Sequence, residues 1–174
     1  MKKLHLSLLL FAMFSMAAMA ANPVTVVSGS TSFLKENAEA VVSFNWEETQ
    51  WKDGGLFKEE VDAEEFSKYT ASAPAKFKEG FNQKSKHLRI GDNKEKAKYA
   101  INIKVLKIDY FFSVMSIVPG HKHTVWARIE VVDQKSKEVV CTLHVERLKG
   151  ARDFIVDDSF YKCFSALGQA VAQQ

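Results

Sequence analysis

Two histidines separated by a single residue, His121 and His123, are the side chains best placed to bind a metal ion. On an extended segment, residues two positions apart project to one side, and imidazole is a common zinc ligand. A zinc site needs further protein ligands, however, and His87 and His144 are remote and lack a metal-binding spacing. The pair therefore predicts a polar loop end, with no metal and no cofactor. The alternative is a small metal-assisted hydrolase that uses His121, His123 and a carboxylate.

The two cysteines, Cys141 and Cys163, leave two interpretations open. Cys141 falls on the apolar face of a predicted strand and Cys163 on the apolar stripe of the final helix, and these faces are expected to meet. In an oxidising compartment a disulfide between them would stabilise the fold by about 3 kcal/mol in the chain-entropy model. Otherwise they are two buried free thiols that pack as small hydrophobic groups. Sequence alone does not supply the geometry that decides between the two.

An apolar arm, residues 110–118, is the least ordinary feature of the chain. Its even-numbered residues, Tyr110, Phe112, Val114 and Val118, are expected on the core face of a strand. Its odd-numbered row is also apolar apart from Ser113 and would face water on a sheet with one solvated face. Exposed contiguous apolar patches mark contact sites. The predicted partner-binding residues are Phe111, Met115, Ile117 and Trp126. The alternative is that a helix or the N-terminal segment covers this face.

Three large aromatic residues near the middle of the chain, Trp46, Trp51 and Phe57, suggest a third class of function. Aromatic side chains can line a surface for a sugar or another small ligand, which would make the protein a lipid or glycan carrier. Large aromatics mostly serve cores, so packing over the sheet edge is the favoured interpretation.

Three strands that alternate apolar and polar residues are expected to position these groups. They cover residues 99–114, 124–132 and 139–145, and the adjacent apolar pair Val105 and Leu106 indicates a β-bulge in the first. A turn centred on Pro119 and Gly120 would set Phe112 opposite Ala127. Two more strands are predicted at residues 24–27 and 38–46.

Helices are predicted at residues 61–88 and from residue 160 onward. The first is expected to break near Pro74, since proline disrupts a helix interior. The second carries a clean apolar stripe from Phe160 to Val171, with Gly168 indicating a close approach. Together these elements predict an α+β fold: a mostly antiparallel sheet of four to five strands with helices packed on one face.

The first 20 residues have the features of a secretory signal peptide: Lys2 and Lys3, a short apolar run, and small residues around Ala20. Residues 21–174 are then a single domain, exported to the periplasm or beyond the cell. Removing the two lysines lowers the formal charge from +3 to +1 (22 basic minus 21 acidic residues). Nothing in this balance indicates nucleic-acid binding. No transmembrane segment is expected after cleavage, although contact with a membrane surface is compatible with the apolar arm.

The order of strand, helix, long strand, hairpin and final helix resembles small periplasmic modules of bacterial envelope-assembly proteins. Examples are the periplasmic domain of the curli-secretion channel, the amino-terminal domain of the Tol-system propeller protein, and related lipoproteins. The residues that carry the likeness are 97–105, 127–133, 138–140 and 160–171. The chain departs from the lipoproteins because the residue directly after the predicted cleavage site is Ala21 and not a cysteine. The resemblance implies an α+β fold and non-enzymatic assembly work.

The sequence thus predicts a non-catalytic, exported binding or envelope-assembly protein that contacts a protein partner, or a second copy of itself, through the apolar arm. The hydrolase and the lipid or glycan carrier remain the alternatives.

Overall fold

The computed structural model describes residues 22–52, 54–114 and 119–174. The strands within these ranges are β1 Val24–Gly29, β2 Glu39–Asn45, β3 Gln50–Trp51, β4 Arg89–Ile90, β5 Tyr99–Ser113, β6 Gly120–Asp133 and β7 Val139–Lys149. The helices are a 3-10 helix at Thr31–Lys35, α1 Phe57–Glu60, α2 Ala63–Lys84 and α3 Val156–Ala172. The predicted signal peptide at residues 1–20 lies outside the described residues.

The strands form one mixed sheet with the order β1-β7-β6-β5-β2-β4, and β3 continues along β5 beyond the end of β2. Strands β1, β7, β6 and β5 pair antiparallel, whereas β2, β3 and β4 pair parallel to their neighbours. The α+β class is confirmed. The sheet, however, has seven strands and mixed pairing, whereas four to five strands and mostly antiparallel pairing were predicted. Strands β3 and β4 were missed because two residues leave no periodic pattern. The parallel pairing of β2 with β5 follows from the helical crossover through α2.

The long hairpin of β5 and β6 contains the predicted bulge, where the register shifts between Val105 and Lys107. The Val105 carbonyl at this irregularity accepts a hydrogen bond from the buried Thr49 hydroxyl at 2.9 Å. The predicted register is wrong: Phe112 pairs with His121 and not with Ala127, because β6 already begins at Gly120, which was predicted to lie in the turn. The parity of the pairing holds, so each side chain faces the expected side of the sheet.

Helix α2 runs without a break through Pro74, so the predicted interruption is wrong. The Asp62 carboxylate accepts a hydrogen bond from the Glu65 N–H at 2.8 Å and caps the start of the helix. Pro74 has no backbone N–H to donate within the helix, and packing of α2 against the core compensates for this missing hydrogen bond. The inward face of α2 buries five residues: Tyr69, Ala73, Phe77, Gly80 and Phe81.

Helices α2 and α3 touch backbone to backbone at two glycines. A Cβ atom on Gly80 would lie 1.9 Å from the Ser165 carbonyl oxygen, and one on Gly168 would lie 2.1 Å from that of Phe77. Only glycine permits such an approach. The close contact predicted from Gly168 is therefore present.

The two long helices cover one face of the sheet and enclose the core. The sheet residues of this core are all buried: Ile101, Ile103, Val105, Ile108, Val125, Ala127, Ile129, Val131, Cys141, Leu143 and Val145. The opposite face carries polar side chains such as Asn102, Lys104 and Arg128, which are exposed to a large extent. In the described part of the chain, no helix combines the length and the apolar character needed to cross a membrane.

Candidate functional site

The end of the β5–β6 hairpin projects beyond the rest of the sheet. Strand β7 stops pairing with β6 at Thr124, whose partner is Lys149, and β3 pairs with β5 only as far as Ile108. From Tyr110 to Ser113, β5 therefore has β6 as its only neighbour in the sheet among the described residues. At about 3.3 Å per residue, this two-stranded ribbon is about 13 Å long.

Both faces of this ribbon carry exposed apolar side chains. Phe111 is 59% exposed and Phe112 49%, and Val114, which directly follows the ribbon, is 70% exposed, since neither long helix extends over this end. The predicted exposure of Phe111 therefore agrees with the structure. The predicted burial of Phe112 and Val114 on the core face is wrong, because the core ends below them.

A second apolar segment lies beside the ribbon, in the connection from β7 to α3. Phe154 is 70% exposed and Ile155 58%. His121 holds this connection in place: its N–H donates to the Asp153 carbonyl at 2.6 Å, and its own carbonyl accepts from the Asp153 N–H at 3.0 Å. Since His121 pairs with Phe112 on its other side, the two exposed segments are neighbours.

We call the surface formed by Phe111, Phe112, Val114, Phe154 and Ile155 the apolar end. Eight large apolar side chains are exposed among the described residues, and five of them are in this group. The other three, Val26, Val27 and Val139, lie on β1 and at the start of β7. Such a concentration at one end of a domain is typical of a contact surface.

Stacked rings connect the apolar end to the core. Trp51 stacks on Tyr110 with 6.3 Å between ring centroids, Tyr110 stacks on His121 at 5.6 Å, and Phe112 packs against His121 at 4.7 Å. The Tyr110 hydroxyl and His121 Nδ1 are 2.5 Å apart and share a hydrogen bond. The ammonium group of Lys52 lies 4.9 Å from the Tyr110 ring centroid, in a cation–π contact.

His123 lies below this stack and is buried, with 1% of its surface exposed. Its Nδ1 is 2.7 Å from the Ser159 hydroxyl, which itself donates to the Val156 carbonyl at 2.8 Å. Because that hydroxyl has a single proton, it must accept from His123 Nδ1–H. Burial, and then the charge of nearby His121, lower the His123 pKa from 6.5 to about 4, so the ring is neutral at physiological pH.

This arrangement does not suit nucleophilic catalysis. In a serine–histidine pair, the imidazole takes the hydroxyl proton, whereas here the Ser159 proton is engaged by Val156 and the imidazole donates. The second ring nitrogen, His123 Nε2, is buried and has no hydrogen-bond partner among the described residues. Ser159 is itself fully buried.

The two histidines share a face of β6, as predicted, but each uses its Nδ1 for a bond to a neighbour. Asp157 is the carboxylate whose charge raises the His123 pKa, and it forms a salt bridge with Lys68. Among the described residues, no group of three or more histidine, cysteine or acidic side chains is arranged to hold a metal ion.

Basic side chains flank the apolar end. Lys122 pairs with Phe111 across the ribbon, Lys149 pairs with Thr124, and Arg152 lies against the backbone of Gly120. Partial burial, followed by the charges of Lys149 and Arg152, lowers the Lys122 pKa. We call Lys122, Lys149 and Arg152 the basic collar.

The other predicted contact residues have different positions. Met115 and Ile117 lie outside the described residues. Trp126 is half-buried on the same face as Phe111 but pairs with Lys107, whose ammonium group lies 5.5 Å from the indole centroid. Four residues of strand, about 13 Å, separate it from Phe111, so it is not part of the apolar end. Sequence reasoning missed Phe154 and Ile155, although both fall outside the apolar stripe of α3, which was the available signal.

The two cysteines are free and buried, so the disulfide interpretation does not hold in this structure. Cys163 Sγ lies 3.9 Å from the Leu148 carbonyl oxygen, whereas Cys141 is seven residues earlier on β7. Seven strand residues span about 23 Å, and a disulfide needs Cα atoms within about 7 Å. Both cysteines face the core, as predicted. Cys141 lies near the start of β7, whereas Cys163 of α3 packs near the end of that strand.

The aromatic residues considered for a sugar surface pack against the core. Trp51 stacks on Phe57 at 4.9 Å and Trp46 on Phe44 at 5.4 Å, and both indoles are half-buried. An open depression of about 430 Å³ borders Phe44, Trp46, Lys58 and Phe66. Packing, the favoured interpretation, agrees with this arrangement.

No protein-family model matches the chain, and no curated protein matches it either. Among solved structures, the chain is similar to the PelC dodecamer from Paraburkholderia phytofirmans, with 17% identity, a TM-score of 0.49, and coverage of 84% of this chain and 96% of that one. It is also similar to a neuraminyllactose-binding hemagglutinin homolog from Helicobacter pylori, with 13% identity, a TM-score of 0.35, and coverage of 78% and 80%. A DUF330 protein from Xanthomonas campestris has 12% identity, a TM-score of 0.34, and coverage of 83% and 85%.

At identities of 17% or less and TM-scores of 0.49 or less, no property of these proteins transfers to this chain. The expected resemblance to the curli-channel and Tol modules is not confirmed by these comparisons.

Proposed function

We propose that this chain is an exported, non-catalytic binding or envelope-assembly protein that contacts its partner through the apolar end. The observation that supports this proposal most strongly is that five of the eight exposed large apolar side chains among the described residues lie together on one projecting end. Full burial of a Phe or Ile side chain is worth about 1.5–3 kcal/mol, so a partner that covers this surface gains several such increments.

The geometry beneath the surface supports a structural role for the residues that resembled a catalytic group. His121 and His123 are bonded to Tyr110 and Ser159, and their rings pack into the aromatic stack. They fix the orientation of the ribbon relative to α3, and a rigid ribbon lowers the entropic cost of binding. The hydrolase alternative has no comparable observation in its favour.

Photo-cross-linking in the intact cell tests the proposal because it captures whatever molecule touches the surface. We expect p-benzoylphenylalanine in place of Phe112 to form adducts, because its benzophenone would lie in the contact surface. The matched control places the same residue at Asn102, which is exposed on the outer face of the sheet. Equal adducts at both positions, or none at position 112, would contradict the proposal.

The mass of the adduct then identifies the class of partner. Light scattering on size-separated protein over a concentration series adds an independent test of self-association. If the partner is a second copy of this chain, Phe112→Glu should convert any oligomer to monomer and leave the circular dichroism spectrum unchanged.

A further inference from the structure

We infer that the partner of the apolar end is the surface of an anionic phospholipid bilayer, an inference that rests on the proposed function. It comes from the basic collar, which the proposed function does not use. Apolar side chains that enter the acyl boundary, combined with lysine or arginine at headgroup level, are the combination that binds anionic membranes.

The first argument is the position of the charges relative to the apolar side chains. Lys122 is the cross-strand neighbour of Phe111, so an ammonium group and an exposed phenyl ring share one short stretch of ribbon. Arg152 immediately precedes the backbone bridge that places Phe154 beside the ribbon. Each exposed apolar segment therefore has a basic side chain beside it. That is the position from which a basic side chain could contact the lipid headgroups while the apolar side chains enter the acyl boundary.

The second argument is that the local charge differs from that of the whole chain. Residues 21–174 carry a formal charge of only +1, with 22 basic and 21 acidic residues. The collar nevertheless gathers like charges: Lys122 is the cross-strand neighbour of Phe111, and the charges of Lys149 and Arg152 add to partial burial in lowering the Lys122 pKa. The Asp153 carboxylate, which directly follows Arg152, is already paired with Lys162. An anionic surface relieves this repulsion.

The third argument separates a bilayer from a second copy of the chain. A two-fold contact through the apolar end would bring two basic collars together, and like charges at short distance oppose such a dimer. The shape of the site leads to the same conclusion. The apolar side chains lie on both faces of a narrow ribbon, which can enter a soft interface, whereas a flat protein surface would contact only one face.

Vesicle co-sedimentation of the purified protein tests the inference. We expect the protein to sediment with vesicles that mix phosphatidylcholine and phosphatidylglycerol, to remain in solution with phosphatidylcholine alone, and to dissociate at high salt. Lys122→Gln combined with Lys149→Gln should weaken the partition about 25-fold, since each basic residue near an anionic surface contributes about fivefold. Phe112→Ser combined with Phe154→Ser should abolish binding.

The matched control is Lys135→Gln, an equal change of charge in the β6–β7 loop at the far end of β6. It should leave vesicle binding unchanged. All four altered side chains of the test variants are at least partly exposed, and unchanged circular dichroism and urea midpoints will verify that the variants fold.

Several outcomes would overturn the inference. They are a lack of sedimentation with anionic vesicles, equal binding to neutral vesicles, and binding that the collar substitutions leave unchanged. If vesicles do not bind but position 112 still cross-links to a protein, the membrane inference fails and the proposed function stands. If position 112 forms no adduct with lipid or protein, the proposed function fails as well.

Discussion

One contribution to acid destabilisation of this protein should come from a buried imidazole, that of His123. Burial lowers its pKa from 6.5 to about 4. In the unfolded chain the ring takes up a proton as the pH falls below about 6.5, whereas in the folded protein it does so only near 4. The contribution to stability is therefore complete above about pH 6.5 and is lost progressively as the pH falls toward 4.

The magnitude follows from the same two pKa values. The full difference corresponds to about 3 kcal/mol, and between about pH 7.5 and 4.5 the expected loss is about 2–3 kcal/mol. This is a large share of the stability of a typical domain, which is about 5–15 kcal/mol. No large structural change is needed, because protonation alone places a charge among Trp51, Tyr69, Tyr110 and Phe160.

Urea denaturation at the two pH values measures this effect when the wild type is compared with His123→Gln, which cannot gain a proton. Groups with lowered pKa that do not interact with His123, such as Glu36 and Asp133, also destabilise the fold in acid, but they do so in both proteins and cancel in the comparison. His87→Gln, at an exposed position, serves as the matched control and should behave as the wild type. If the wild type and His123→Gln lose the same free energy of unfolding, the reasoning about the buried ring is refuted.

Two further predictions concern the core. Gly80→Ala should destabilise the protein by about 1–3 kcal/mol in urea, despite the better helix propensity of alanine, because its Cβ would lie 1.9 Å from the Ser165 carbonyl oxygen. Ala71→Gly, at an exposed position in the same helix, is the control and should cost about 1 kcal/mol; a neutral or stabilising Gly80→Ala would show that α2 and α3 do not touch there. Both thiols should be unreactive to a thiol reagent in the folded protein, since burial raises the Cys141 pKa and raises that of Cys163 to about 12. A melting temperature that falls on addition of a reductant would instead indicate the disulfide.

The fold was predictable from sequence where a periodic pattern is long. The alternation through β5, β6 and β7 indicated three strands, and the adjacent residues Val105 and Leu106 indicated the bulge, because a single inserted residue reverses the phase of the alternation. Strand β3 was not predictable in this way. Its two residues pair with Lys107 and Ile108, and Trp51 also stacks on Phe57 of α1, a contact distant from the strand's own local pattern. Tertiary contacts of this kind leave no local pattern.

The candidate site shows the same division. Phe111 was predicted to be exposed from the alternation of its strand, which is a local property. The exposure of Phe112 depends on where the helices end, and that of Phe154 depends on the backbone bridge between His121 and Asp153. Neither is encoded in the neighbouring residues alone. The missed signal was compositional: two large apolar residues outside the stripe of α3.

The polar groups at the base of the ribbon explain how a surface of this type can be stable. An isolated two-stranded ribbon is marginally stable in water, and this one carries apolar side chains on both faces. The backbone bridge to Asp153 adds a third segment beside β6, and the stacked rings from Trp51 to Phe112 continue the core into the ribbon. His121 takes part in both, and the buried hydrogen bond of His123 to Ser159 attaches the same strand to α3. The pair of histidines that suggested a metal site in the sequence is therefore accounted for as an anchor, which presents the apolar end in a fixed orientation.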